Sequence, residues 1–161
     1  QPLVEELAAR PRLLMLAGHY EGIDQRVIDR LAPMEISLGD FVLSGGELAA
    51  LVLIDAIARL LPGVLGDDAS ATQDSFGPVP ATNPDGSPVP PKKLAQWCDQ
   101  LGISPDARLL DCPHYTRPRV WEGLEAPEAL FSGDHDAVAR WRLEQMVRKT
   151  RASRPDLLDE G

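Results

Sequence analysis

Residues Arg12 to Ala17 read RLLMLA, an unbroken apolar run that ends on a glycine loop, Gly18-His19-Tyr20-Glu21-Gly22. An uninterrupted run of this length, closed by a turn signal, is the pattern of a strand covered on both faces, as in a parallel sheet. Ile23 to Leu31 follows with apolar residues at helical spacing, and Met34 to Ser37 has the look of a second short strand. A second glycine-bearing loop, Leu38 to Gly46, precedes Glu47 to Leu61. Apolar residues cover most of the circumference of that last segment, which predicts a largely buried helix stopped by Pro62-Gly63. The order strand, loop, helix, strand, loop, helix is that of an α/β domain. In such sheets ligands bind at the carboxyl ends of strands, where both glycine loops fall. Two strands alone cannot form a covered sheet, so further strands are expected from residues outside this chain. Gln1 stands where a translated chain has Met, which carries the same expectation.

The second half reads differently. Residues 77–91, GPVPATNPDGSPVPP, have the composition of an exposed, flexible segment. Pro2 to Arg10 and Lys92 to Leu101 predict short helices. A long helix is predicted from Asp136 to about Ala152, with Asp134 or Asp136 as its N-cap and a basic C-terminal end that complements the helix dipole. No internal repeat is present.

Charge and composition narrow the function. The net charge of −9 argues weakly against a nucleic-acid partner. The distribution argues the other way: Arg140, Arg142, Arg148, Lys149, Arg151 and Arg154 face only Glu144 between residues 140 and 154, with Arg117 and Arg119 nearby in sequence. The apolar stretch Leu48 to Leu61 is interrupted by Asp55 and Arg59, so no membrane span is expected. The acidic start has no signal-peptide pattern. Cys98 and Cys112 form no CxxC pair, which points to neither a disulfide framework nor a zinc site, no metal motif being visible, and makes a cytoplasmic location the expectation.

Four segments in order carry a resemblance: Gly18 to Asp24 (GHYEGID), Ile36 to Glu47 (ISLGDFVLSGGE), Pro62 to Gly66 (PGVLG) with Asp74-Ser75-Phe76, and Leu110 to Pro118 (LDCPHYTRP). Leu130 to Gly133 (LFSG) with Trp141-Arg142 adds a fifth. Each is weak alone. Together the chain resembles the bacterial tRNA (guanine-37-N1)-methyltransferases of the SPOUT superfamily, without the family's N-terminal part. His19 stands where the family usually has Arg, and Phe41 where it often has Tyr. The family runs almost directly from Asp-Ser-Phe to Leu-Leu-Asp-Cys-Pro, so residues 77–108 resemble an insertion.

The resemblance implies an α/β fold with a SPOUT-type parallel sheet and a deep trefoil knot, partial here, plus a small and incomplete helical C-terminal domain. It implies a division into residues 1–76 of the methyltransferase domain, a Pro-rich linker or insertion at 77–108, and a tRNA-binding part at 109–161. The implied activity is methyl transfer from S-adenosylmethionine to N1 of guanine 37 in tRNA, by a homodimer. A magnesium requirement is implied by the resemblance alone. The alternative is a non-catalytic tRNA-binding fragment or a divergent relative.

The implied cofactor loops contain Gly18, Tyr20, Glu21, Gly22, Leu38, Gly39, Phe41, Leu43, Gly45 and Gly46, joined by Asp111. Glycines let a backbone approach an adenine edge closely, although a bare Gly-Gly is more often a tight turn before a helix. Glu21 can hold a polar group of cofactor or substrate, or cap the helix near Ile23. Neutral guanine carries a proton on N1, so attack from N1 requires a base; Asp74 is assigned that role. Deprotonation puts negative charge on O6, which Arg59 is placed to stabilise. The bland alternatives are an Asx turn for Asp74 and a snorkelling helix-end residue for Arg59. His114, Tyr115, Arg117, Arg140, Arg142 and Arg148 are expected to meet tRNA; a rigid linker and a solvated helix face are the alternatives.

Overall fold

The computed structural model describes residues 1–66 and 74–158. The chain divides into two compact units, Gln1–Asp68 and Ala69–Gly161. In the first, helix α1 (Pro2–Ala8) packs against helix α3 (Glu47–Ala58), with helix α2 (Gln25–Leu31) between them in sequence. Proline opens α1, where its missing N–H is not needed. The Asp24 carboxylate caps α2 by accepting from the amide of Arg26 at 2.9 Å, so Asp24 does the capping that the sequence also allowed for Glu21.

The expected strands do not form among the described residues. Residues 12–17 and 34–37 carry no ladder, and among the described residues of the first unit a single bridge joins His19 to Gly45. The expected burial fails with them: Leu14 is 86% exposed, and Leu48, Leu51 and Val52 on α3 all exceed half. Only Ile57 of α3 is buried. The physical reason is that an apolar run becomes a covered strand only with neighbours on both sides, and no other extended segment of residues 1–66 pairs along it. A helix that is apolar all round likewise needs cover on every side.

The second unit holds a true core. Val79, Val89, Trp97, Cys98, Leu109, Cys112, Leu143, Met146 and Val147 pack into one cluster. Helix α4 (Pro91–Leu101) contributes Trp97 and Cys98, and ends on Gly102 in the left-handed conformation. Helix α5 (His135–Ser153) contributes Leu143, Met146 and Val147. Asp134 caps α5 through a bond from the Ala137 amide at 3.1 Å, which settles the choice between Asp134 and Asp136. A minimal hairpin, β1 (Val120–Trp121) with β2 (Leu124–Glu125), turns on Glu122 and Gly123. Both turn residues have positive φ, 48° and 80°, as the tight primed hairpin turns require.

Residues 77–91 are mostly exposed, as expected, but not along their whole length. Val79 and Val89 are buried, and the Val89 amide bonds to the Ala81 carbonyl at 2.8 Å while Asn83 and Ser87 close the tip. Alternating valines among the prolines give this segment a face to bury, which composition alone conceals. The excursion nevertheless begins and ends at one place: the Phe76 amide donates to the Leu109 carbonyl at 2.7 Å, and Gly77 bridges to Leu109. Asp74-Ser75-Phe76 and Leu109 to Cys112 therefore lie side by side despite the intervening residues.

Candidate functional site

A cavity of about 480 Å³ in the first unit gathers the predicted cofactor loops. Gly18, Tyr20, Gly22, Leu38, Gly39, Phe41, Leu43, Gly45 and Gly46 all line it. The two loops are drawn together by the His19–Gly45 bridge and by a bond from the Gly46 amide to the Gly18 carbonyl at 2.7 Å. This pairing explains the glycines. A Cβ on Gly46 would stand 3.0 Å from the Ala17 Cα and 3.1 Å from the Gly18 nitrogen, both backbone atoms. A Cβ on Gly45 would meet the Glu47 carboxylate and the His19 ring, which are side chains free to move. At Gly46 the two loop backbones therefore approach more closely than a Cβ ordinarily allows. Its size falls in the range of about 300–1,000 Å³ usual for small-molecule sites.

Glu21 does not line this cavity. Glu35, Ser37, Gln25 and His19 do, and sequence reasoning passed over them. Ser37 exchanges hydrogen bonds with Gly39 at 3.3 Å, fixing the entrance of the second loop. The signal for Glu35 and Ser37 was their place at the carboxyl end of the expected second strand.

The predicted catalytic pair falls on different units. Arg59 is the exposed C-cap residue of α3, so it does not sit on a buried helix as expected. Asp74 is exposed in the second unit, its carbonyl accepting from the Gly77 amide at 3.1 Å in a turn.

Asp111 belongs to the second unit and is not among the residues that line the glycine-loop cavity. Its amide donates to the Ser75 hydroxyl at 3.0 Å, and its carbonyl accepts from Lys149 at 3.0 Å. Its carboxylate bonds to His114 Nε2 at 2.6 Å. With Cys112 these residues could bring three donor atoms within 4.8 Å of one another. The set does not suit magnesium, which demands an octahedron of oxygens. The Cys112 thiol is also held above its ordinary pKa, first by burial and then by the Asp111 charge, so it stays protonated.

His114, Tyr115, Arg117 and Arg142, four of the residues expected to meet tRNA, line a second cavity, of about 430 Å³, within the second unit. Tyr115 lies against Trp141 with ring centroids 6.2 Å apart. Arg140 and Arg148 do not line it. Arg140 is paired with Glu144 at 3.0 Å, while Arg151 reaches the Leu101 and Gly102 carbonyls and Arg154 pairs with Asp156. Much of the basic charge read from the sequence of α5 is therefore spent on structure. Among the described residues no helix is long and apolar enough to cross a membrane.

Comparison with known proteins gives the context of this arrangement. The profile of the family described as "tRNA (Guanine-1)-methyltransferase TrmD" matches residues 1–89 and 99–160, so of residues 77–108, expected to be an insertion, only 90–98 fall outside it. A tRNA (guanine-N(1)-)-methyltransferase of Thiobacillus denitrificans is 50% identical over 161 residues, covering 100% of this chain and 56% of the relative. That of Dechloromonas aromatica is 53% identical over 91% of this chain and 46% of its own length. That of Frankia alni is 51% identical over 98% of this chain and 48% of its own. The chain spans about half the length of the curated relatives it matches. With paired glycine loops around one cavity, the adjoining Asp-Ser-Phe and Leu-Asp-Cys-Pro segments, and a profile matched along most of its length, the chain belongs to the tRNA (guanine-1)-methyltransferase family.

Proposed function

We propose that the protein transfers a methyl group from S-adenosylmethionine to N1 of guanine 37 in tRNA, with the glycine-loop cavity as the cofactor site. The observation that carries this reading is the close backbone pairing of Gly18 with Gly46, which brings the predicted loop residues around one cavity. The relatives are named for methyl transfer to N1 of guanine in tRNA, and S-adenosylmethionine is the methyl donor that such a reaction implies. The cofactor supplies an electrophilic methyl on a sulfonium. The backbone at Gly39, Gly45 and Gly46 accepts the flat adenine, and the Glu35 carboxylate on the lining offers a partner for the ammonium group. Glu21 and Asp111 complete the assignment as cofactor contacts outside that lining.

The chemistry requires one base and one cation. Asp74 takes the proton from N1 as the N1–methyl bond forms and the sulfur–methyl bond breaks, leaving the neutral thioether. Arg59 offsets the charge that gathers on O6. Magnesium has no step in this scheme, because the donor set at Asp111, Cys112 and His114 does not fit it. Residues 1–76 act as methyltransferase domain and 109–161 as tRNA-binding part, with 77–108 joining them, in a knotted SPOUT-type homodimer in the cytoplasm. The exposed apolar residues of α3 and of the segment 12–17 give the sheet and the partner subunit something to cover.

The second reading, a tRNA-binding fragment without turnover, is favoured by those same uncovered segments. One experiment separates the two: the purified chain is incubated with tRNA and S-adenosylmethionine, and the tRNA is digested and weighed for 1-methylguanosine. Methylation of guanine 37, absent on tRNA with adenine at that position, is expected. Binding of tRNA with no methylated product favours the fragment reading.

A further inference from the structure

We infer that Asp111, Cys112 and His114 form a binding site for zinc, with the Asp111 carboxylate, the Cys112 sulfur and His114 Nε2 as its three protein ligands. The site goes beyond the methyl-transfer reading, which gives Cys112 no role. Among the described residues no other three His, Cys, Asp or Glu side chains come together closely enough to share one ion.

Zinc takes nitrogen, sulfur and oxygen donors in a tetrahedron, with bonds of about 2.0–2.3 Å, which sets neighbouring ligand atoms roughly 3.3–3.8 Å apart. The donors here bracket that spacing. His114 Nε2 lies 2.6 Å from Asp111 Oδ2, and the three donor atoms all lie within 4.8 Å of one another. The adjustment falls to His114, whose side chain is 72% exposed and free to swing. The other two ligands sit on a fixed segment. Ser75 Oγ accepts from the Asp111 amide and Lys149 donates to the Asp111 carbonyl, each at 3.0 Å, while Asp111 Oδ1 accepts from the Cys112 amide at 2.7 Å. Cys112 itself packs into the core of the second unit. The exposed side leaves a fourth position to water, and three protein ligands plus solvent is an arrangement that zinc adopts.

The donor set decides between ions. Magnesium and calcium demand oxygen, whereas one sulfur, one imidazole and one carboxylate suit zinc. In the metal-free chain a proton bridges His114 Nε2 and Asp111 Oδ2, and Cys112 keeps its thiol proton. Zinc takes the place of both. The neutral imidazole moves its proton to Nδ1 and coordinates through Nε2. The thiol gives its proton to solvent as the zinc–sulfur bond forms, so each ion bound releases one proton. Burial and the Asp111 charge oppose a lone thiolate, but a dication bonded to both groups replaces that repulsion with attraction. On the methyl-transfer reading, which assigns Asp111 to the cofactor and His114 to tRNA, an occupied site takes both side chains away and is inhibitory.

The test uses the full chain, reduced and freed of metal by a chelator. Calorimetric titration with zinc should show one ion bound per chain, and excess magnesium should not displace it. Cobalt(II) titrated in place of zinc should give a near-ultraviolet thiolate-to-cobalt charge-transfer band together with the visible bands of a tetrahedral ion. His114→Ala, at an exposed position, should weaken zinc by more than the about ten- to hundredfold that loss of a supporting contact costs. Cys112→Ser should weaken it likewise and abolish the charge-transfer band although Cys98 remains. Zinc bound equally by the parent and His114→Ala, or a cobalt complex without the sulfur band, would overturn the site. Zinc should also slow methylation of tRNA by the parent and not by Cys112→Ser. Zinc bound as described by a chain that forms no methylguanine would remove the enzymatic reading and keep the site; methylation by a chain that binds no zinc would do the reverse.

Discussion

The hydroxyl of Thr150, fully buried on α5, accepts from the amide of Leu110 at 2.9 Å and donates to the Met146 carbonyl at 2.7 Å. One side chain thus anchors the segment that carries Asp111, Cys112 and His114 to the long helix that carries Arg142. Serine 75 anchors the same segment from the other side through the Asp111 amide. The site's geometry depends on these two hydroxyls.

Thr150→Val tests that dependence. The substitution keeps the branched shape but leaves the part-buried Leu110 N–H without its acceptor. An unsatisfied buried donor costs about 1–3 kcal/mol. Urea unfolding of the variant should show a loss in that range, whereas Ser75→Ala, whose side chain is only partly buried while Thr150 is fully so, should lose less. Equal stability of Thr150→Val and the parent would mean that the Leu110 amide finds another partner.

The glycine loops permit a sharper test than deleting a loop. Gly46→Ala pushes a methyl against backbone atoms of Ala17 and Gly18, which cannot turn aside. Gly45→Ala meets only the Glu47 and His19 side chains, which can. Calorimetric titration with S-adenosylmethionine should therefore show Gly46→Ala weakened far more than Gly45→Ala, and Gly45→Val weakened as well. Equal affinities for the parent and Gly46→Ala would place the adenosine elsewhere.

How much of this was readable beforehand differs between the two units. The helices were legible because each is written locally: Asp24 and Asp134 cap, Pro2 and Pro91 open, and Gly102 closes. The run RLLMLA carried the right composition for a strand and still forms none among the described residues, because a strand is a relation between segments. Composition concealed one face of residues 77–91: most of the segment is exposed as expected, but two valines among the prolines pack into the core. The glycine loops were identified through resemblance, yet Glu35 and Ser37 needed the cavity to be seen. On α5, sequence counted charges where structure separates Arg142, left available, from Arg140 and Arg151, already engaged.

The cysteines give a pH-dependent prediction. Burial raises the Cys98 and Cys112 pKa values above the ordinary 9.0, with Asp99 and Asp111 adding to the effect. The folded chain therefore favours the neutral thiols. That contribution to stability is fully present below the unfolded pKa and is lost as pH rises through the raised folded values, so the window lies above 9.0. Alkylation of native protein at about pH 8 should be much slower than that of the unfolded chain, read by intact mass. Unfolding midpoints should fall more steeply with alkaline pH in the parent than in Cys112→Ala. Rapid alkylation of both thiols in the folded chain would show that they are not held in this environment.

Asp74 decides whether the assigned chemistry is right. Its backbone carbonyl closes a turn with Gly77, so the side chain is not needed for that bond, and the Asx-turn reading predicts little effect on rate from Asp74→Asn. The general-base reading predicts otherwise. Asparagine keeps the size and one acceptor oxygen but cannot take the N1 proton, and loss of a positioned base typically costs about two to four orders of magnitude. The loss should appear in single turnover with saturating tRNA and S-adenosylmethionine, with both affinities nearly unchanged, because the interaction is made in the transition state rather than in the bound ground state. Arg59→Ala should slow the same step, since charge developing on O6 would go uncompensated. The two losses should not simply add, because both act on one guanine whose deprotonation they share. Raising the pH should partly restore Asp74→Asn, as solvent removes more of the N1 proton, and should not restore Arg59→Ala to the same extent. A single-turnover rate for Asp74→Asn close to the parent's would remove Asp74 from the mechanism and leave its carboxylate as a turn residue.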